Sequence, residues 1–293
     1  MDTDALKAFV AIAELGSFSL AGERLFLTQP AVSKRIATLE GLLDCQLFDR
    51  VGRTITLTEA GRELLPRAQA ILAATADALQ AINDLSGDVR GELNLSTSHH
   101  IGLHHLPKHL RRFNDNYPQV KLKLDFQDSE VALAQVLQGK VEMAALTLAQ
   151  QPHPKLEEAV VWDDPLCFVA AVDHPLAQLS QPQMSDLSRF TAILPEENTF
   201  TTRLVSQLFQ QQGTELELRM ATNYLETIKM MVSIGLGWGV LPKTLLEGAG
   251  LKEIAIDSPP LVRRLGIIHH KERSLSNASK AFLRLFAEET AER

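Results

Sequence analysis

The stretch "SFSLAGERLFLTQPAVSKRIATLE" at 17–40 constrains this chain more than any other. It reads as two short helices broken at "FLTQP". Ser19 can cap the first, in which Gly22 allows close approach and Leu25 faces inward. Thr28 can cap the second, and Pro30 is pre-set for its first turn. Val32, Ile36 and Leu39 recur at helical spacing and form one apolar stripe. Gln29, Ser33, Lys34 and Arg35 fall largely off that stripe.

Helix, tight turn, helix is a geometry that lays the second helix in a DNA major groove. One face of such a helix packs on its own core. The other needs side chains that hydrogen-bond base edges and phosphates, which Gln29, Ser33, Lys34 and Arg35 supply. "VGRTITLT" at 51–58 reads as a turn and an alternating strand, a small wing on which Arg50 and Arg53 would add phosphate or minor-groove contacts. The whole chain of 293 residues carries 29 Lys and Arg against 36 Asp and Glu, a net charge of −7. It therefore has no general attraction to phosphate, and any nucleic-acid contact rests on a local patch. On spacing alone, a solvated face on an ordinary helix pair fits these residues equally well.

The rest of the chain falls into two grammars. Residues 4–15 place Ala5, Leu6, Phe9, Val10, Ile12 and Ala13 at helical spacing. From Thr58 a long helix begins, with Leu65, Ala68, Leu72, Thr75, Leu79 and Ile82 in a coiled-coil-like seam and Ile71, Ala78 and Leu85 beside it, suited to a second chain. Pro66 interrupts that seam and predicts a bend near Arg62. "SGDVRG" at 86–91 reads as a hinge. Strands and helices then alternate: "ELNLS", the helix "HHIGLHHLPKHLRRFNDNYP", "VKLKLDFQ", "SEVALAQVLQGK", "VEMAALTL", and a second set from "LCFVAAV" to "WGVLP", closed by "RLGIIHH" and a last helix. This predicts βαβ units around a mostly parallel sheet, in two α/β lobes with a cleft between them. The expected class is α/β overall with a mainly α start. No repeat or low-complexity segment is present.

Cys45 and Cys167 offer neither a disulfide framework nor metal-ligand spacing and fit a reducing cytoplasm. The acidic, amphipathic start lacks a basic n-region, so it does not read as a signal peptide. "MVSIGLGWGVLP" is too short and glycine-rich for a membrane span. A cytoplasmic location without membrane partners is expected.

The residues "GSFS", "TQPAVSKRIATLE" and "LF.R..R...LT.AG" resemble the N-terminal domain of LysR-type transcriptional regulators, densely over the first sixty or so residues and more loosely to the end. The resemblance implies a DNA-binding domain at 1–58, a dimerising linker helix at 59–87 and a two-lobed, periplasmic-binding-protein-like effector domain at 88–293. Lobe I would span about 91–161 and 266–293, and lobe II about 162–265. It further implies homodimers paired into tetramers, double-stranded DNA carrying an interrupted palindrome, and an effector that alters polymerase access. Gln29, Pro30, Ser33, Lys34, Arg50 and Arg53 become the implied DNA contacts. Gly22 departs from the alanine usual in the family.

Helix N-termini hold anions, and ligands of open α/β sheets sit at the carboxyl ends of strands. Segments meeting both conditions give Ser98 and His99, Ser129, Asn198, Thr199 and Phe200, and Asn223 and Tyr224 as effector candidates. Ser and Thr there also serve as plain caps. A small polar or anionic metabolite is expected, with no cofactor. His100 with His104, and His105 with His109, stand at the spacing that lets one helix chelate a divalent metal, so a metal-responsive regulator is the alternative. The same histidines could make binding depend on pH near neutrality. An enzyme on the two lobes is the remaining class, and no nucleophile elbow, P-loop or dinucleotide motif supports it.

Overall fold

The structure, a computed structural model, describes residues 2–51, 54–248 and 250–291. Two compact units are present. The first holds α1 (Thr3–Leu15), α2 (Phe18–Leu25), α3 (Gln29–Leu43), a hairpin of β1 (Phe48–Val51) and β2 (Thr54–Leu57), and α4 (Glu59–Asn83). Ser17, not Ser19, caps α2, its hydroxyl accepting from the Leu20 N–H at 3.3 Å. Thr28 and Thr58 cap α3 and α4 in the same way. Leu6, Phe9, Ile12, Val32, Ile36, Leu39 and Leu47 close a buried core, on which Phe48 of β1 stacks against Phe9. A methyl group on Gly22 would meet the Leu27 carbonyl oxygen at 2.7 Å. Glycine there lets the turn fold tightly back on α2, so this departure from the family pattern tightens the packing.

Helix α4 runs through Pro66 without a break. Proline has no N–H to return to the Arg62 carbonyl, yet the helix continues on both sides. The expected seam divides along its length. Leu65, Ala68 and Leu72 pack onto the unit's own core, whereas Ile71, Leu79, Ile82 and Leu85 are exposed.

The second unit holds β3 (Gly91–Thr97), α5 (His99–His104), α6 (Pro107–Asn116), β4 (Val120–Phe126), α7 (Ser129–Leu137), β5 (Met143–Thr147), β6 (Leu156–Ala171), α8 (Pro175–Gln178), α9 (Met184–Leu187), β7 (Ala192–Leu194), α10 (Phe200–Gln211), β8 (Leu218–Ala221), α11 (Leu225–Ser233), β9 (Trp238–Pro242), β10 (Leu251–Ile254), β11 (Leu261–His270) and α12 (Asn277–Ala291). The expected mostly parallel sheet is instead mixed. Strands β4, β3 and β5 pair in parallel in one lobe, and β9, β7 and β8 in the other. The long strands β6 and β11 join the lobes and pair antiparallel with each other and with β5, β9 and β10. Return strands of this kind need no crossover helix, so βαβ alternation could not announce them.

The helix expected over 99–118 is two helices. Pro107 begins α6 and, lacking an N–H, cannot continue the ladder of α5. The register of β6 and β11 shifts at Leu265/Gly266. A methyl group on Gly266 would lie 2.3 Å from the Ala159 carbonyl oxygen, so only glycine fits this bulge.

Candidate functional site

The outer face of α3 presents Gln29, Pro30 and Lys34 to solvent, with Ser33 half-buried. Gln29 donates to the Ser33 hydroxyl at 2.9 Å, which fixes both side chains one turn apart. Arg35 differs from this expectation: its guanidinium is tied to Asp4 of α1 at 3.3 Å and braces the helix pair. Arg50 lies in the wing strand β1, one residue before its end, and Arg53 lies outside the described residues.

Between the lobes lies a cavity of about 50 Å³. Ser98, His99, His100, Ser129 and Thr147 line it from the first lobe, and Thr199, Phe200, Thr201, Asn223 and Leu225 from the second. Of the expected effector residues, Ser98, His99, Ser129, Thr199, Phe200 and Asn223 meet here. Asn198 is exposed on the turn before α10, and Tyr224 faces a neighbouring cavity, edge-on to His99 at 4.8 Å. Ser129 accepts from the Thr147 N–H at 3.1 Å. Thr199 caps α10 and donates to the Glu196 carbonyl at 2.8 Å.

Among the lining residues not expected from sequence, three are charged: Asp128, Glu130 and Arg263. Glu130 reaches from the first turn of α7 across the cleft and accepts from the Phe200 N–H at 2.5 Å. The open N-terminus of α10, the natural seat of an anion, thus holds the protein's own carboxylate. Burial pushes the Glu130 carboxyl above its ordinary range, with Asp128 adding to the rise and the Phe200 N–H and Arg203 opposing it. Asn223 makes a second bridge between lobes, donating to Asp128 at 2.7 Å. His104 and Glu226, at 3.0 Å, make a third. Carboxylates on turns carry no periodic signal, so nothing in the sequence singled them out.

Arg263 is buried and stands directly opposite Asp164 on β11 and β6. Two of its nitrogens donate to the Asp164 carboxylate, and a third reaches the Thr201 hydroxyl at 3.1 Å. Burial alone would push the Asp164 carboxyl up. The His100 ring and the Arg263 guanidinium more than offset that and hold it below the usual carboxylate range.

Of the two histidine pairs, His100 and His104 stand as expected, on α5 with ring centroids 5.0 Å apart, and the other pair does not. His105 ends α5 while His109 lies in α6 against Phe286, so one helix does not present both. Burial lowers the His100 pKa, and burial with the adjoining His100 brings that of His105 to about 4. The His105 ring is therefore neutral at pH 7. Cys167 is core: burial raises its thiol to about 12. Among the described residues no helix is long and apolar enough to cross a membrane.

A winged helix-turn-helix unit and a two-lobed α/β unit with a polar cleft define a ligand-responsive DNA-binding protein as the class. The model of the lysR-family bacterial regulatory helix-turn-helix protein matches residues 3–62, and that of the LysR substrate binding domain matches residues 86–291. The chain belongs to the LysR family of transcriptional regulators. The uncharacterized HTH-type transcriptional regulator YeiE of Escherichia coli K12 is 33% identical to it over 282 residues, covering 95% of this chain and 94% of that one. A full-length OxyR variant from Pseudomonas aeruginosa shares the fold with a TM-score of 0.69 at 20% identity, over 98% of this chain and 94% of that one. The effector binding domain of QuiR, solved with shikimate, does so with a TM-score of 0.63 at 19% identity, over 70% of this chain and 99% of that one.

Proposed function

We propose that this regulator binds a small polar metabolite carrying an anionic group in the cleft between its lobes, and that the metabolite's anion takes the place of Glu130 at the N-terminus of α10. The observation that carries this reading is the Glu130–Phe200 bridge. An internal carboxylate already marks where negative charge is held, and an effector must exchange with it. The cavity of about 50 Å³ leaves little room beside Glu130, so entry requires that bridge to open and the lobes to shift. Effector then changes the protein by binding the opened arrangement better than the latched one. The shikimate bound to QuiR is a hydroxylated carboxylate of the size and chemistry meant here.

Gln29, Pro30, Ser33, Lys34, Arg50 and Arg53 contact DNA in this reading, at an interrupted palindrome read by a homodimer. The exposed half of the α4 seam pairs the protomers, and dimers pair into tetramers. Transmission runs from the cleft to the spacing of the DNA domains and so to RNA polymerase access, in the cytoplasm. Regulation and not turnover is the activity. The test is a panel of small carboxylates and of matched neutral amides titrated by calorimetry against the native protein and Glu130→Ala. Removing the competing carboxylate should raise affinity for a binding carboxylate by up to about thirtyfold, the upper range for an anion at a partly buried helix N-terminus. Amides binding as tightly as their acids, or affinity falling in Glu130→Ala, would contradict it.

A further inference from the structure

The fold gathers three potential ligands that no spacing in the sequence announces. His100 of α5, His105 at its end and Asp164 of β6 bring one nitrogen or oxygen each within 4.8 Å of one another. We infer that His100, His105 and Asp164 form a binding site for a divalent transition metal of the zinc class, in the wall of the effector cleft.

The distances suit such an ion. His100 Nε2 lies 3.6 Å from the Asp164 carboxylate, too long for a hydrogen bond. A tetrahedral ion with bonds of about 2.1 Å sets its ligand atoms about 3.4 Å apart, so the pair already stands at the required separation. A ring nitrogen of His105 lies within 4.8 Å of both. The polar inventory agrees. Nε2 of both His100 and His105 is buried with no hydrogen-bond partner among the described residues. Buried polar atoms are rarely left so, and each of these rings offers a nitrogen to the cluster around Asp164.

The surroundings supply what a metal carboxylate needs. Arg263 fixes Asp164 with two hydrogen bonds to Oδ2, the oxygen that faces His100, so an ion would share that carboxylate with the guanidinium. The His105 ring is packed against Trp162 at 5.0 Å. Three protein ligands leave a fourth position open, the pattern of sites that also take water or a small ligand. Since His100 lines the cavity, that position faces the cleft. The ion would tie α5 of one lobe to the strand that crosses between the lobes. This inference stands on its own geometry and does not depend on the anionic effector.

The test uses full-length protein stripped with a chelator and titrated with cobalt(II). The expected result is the intense visible absorption of a tetrahedral or five-coordinate site, saturating at a single cobalt per chain and displaced by zinc, with a zinc-dependent rise in Tm. His105→Phe keeps a ring against Trp162 and removes a ligand. It should weaken cobalt binding by more than about tenfold, and His100→Phe should do the same from the other side. Lys34→Glu, at the DNA face, should bind cobalt like the native chain, which separates this site from DNA recognition. Absence of the visible band in the native protein, or a band unchanged in both phenylalanine variants, would overturn the inference.

Discussion

Arg263 donates to Asp164 and Thr201 at the point where β6 and β11 cross from lobe to lobe. A buried pair contributes little compared with a well-packed apolar pair, but losing one partner leaves the other charged and dry. Arg263→Ala should therefore cost about 3–5 kcal/mol in urea unfolding, and adding Asp164→Asn should recover part of it. A loss under about 1 kcal/mol would mean the pair behaves as a surface bridge. Glu130 works with the opposite sign. Its folded pKa is raised, so the folded state holds its proton more tightly than the unfolded chain. The stability linked to this group is full at low pH and falls as pH rises through the raised value. The charges facing it are Asp128, which sharpens the effect, and Arg203, which blunts it. Glu130→Gln keeps the shape and removes the titration. Its Tm should exceed that of the native protein at about pH 7.5, with the advantage shrinking as pH falls through the raised value and gone below the ordinary carboxylate pKa of about 4.3. An advantage that stays constant with pH would contradict the burial argument.

At the scale of elements, α4 shows how one pattern serves two purposes. Leu65, Ala68 and Leu72 belong to the core of the first unit, while Leu79, Ile82 and Leu85 remain exposed. Such a row facing water is costly for a lone chain and fits a partner helix. The double change Leu79→Glu with Ile82→Glu should yield monomers by analytical ultracentrifugation with the fold of the first unit retained, whereas Leu65→Glu should unfold that unit. Intact dimers in the double variant would place the interface elsewhere. The same helix shows what was legible in advance. Caps at Thr28 and Thr58, the stripe of Val32, Ile36 and Leu39, and the strand-to-helix turns at Ser98, Ser129 and Thr199 follow from local rules, and the structure places them so. The split of the seam did not follow, because which apolar face meets which core depends on tertiary packing. Nor did the antiparallel strands β6 and β11, with their buried pair Asp164 and Arg263. Nor did the meeting of His100, His105 and Asp164, contributed by elements some sixty residues apart. Proximity across strands is set by register, and register is invisible to a pattern read along one segment.

At the scale of the whole molecule, membership of the LysR family makes the chain a transcriptional regulator, and its local design explains how an acidic protein takes that part. The helix α3 carries its own polar face, and DNA recognition through that face, as proposed, would not draw on the overall charge of −7. Binding should therefore weaken steeply with salt through a few phosphate contacts, while sequence preference rests on Gln29 and Ser33. The central claim is tested most directly by incubating the full-length protein with sheared genomic DNA from its own organism at moderate salt, alone and with a cell metabolite extract, and sequencing what is retained. The prediction is a small number of strongly enriched sites carrying an interrupted palindrome, lost in Lys34→Glu although that variant stays folded and oligomeric. Uniform retention, no enrichment in either condition, or the same sites recovered with Lys34→Glu would contradict the assignment of α3 as the helix that reads DNA.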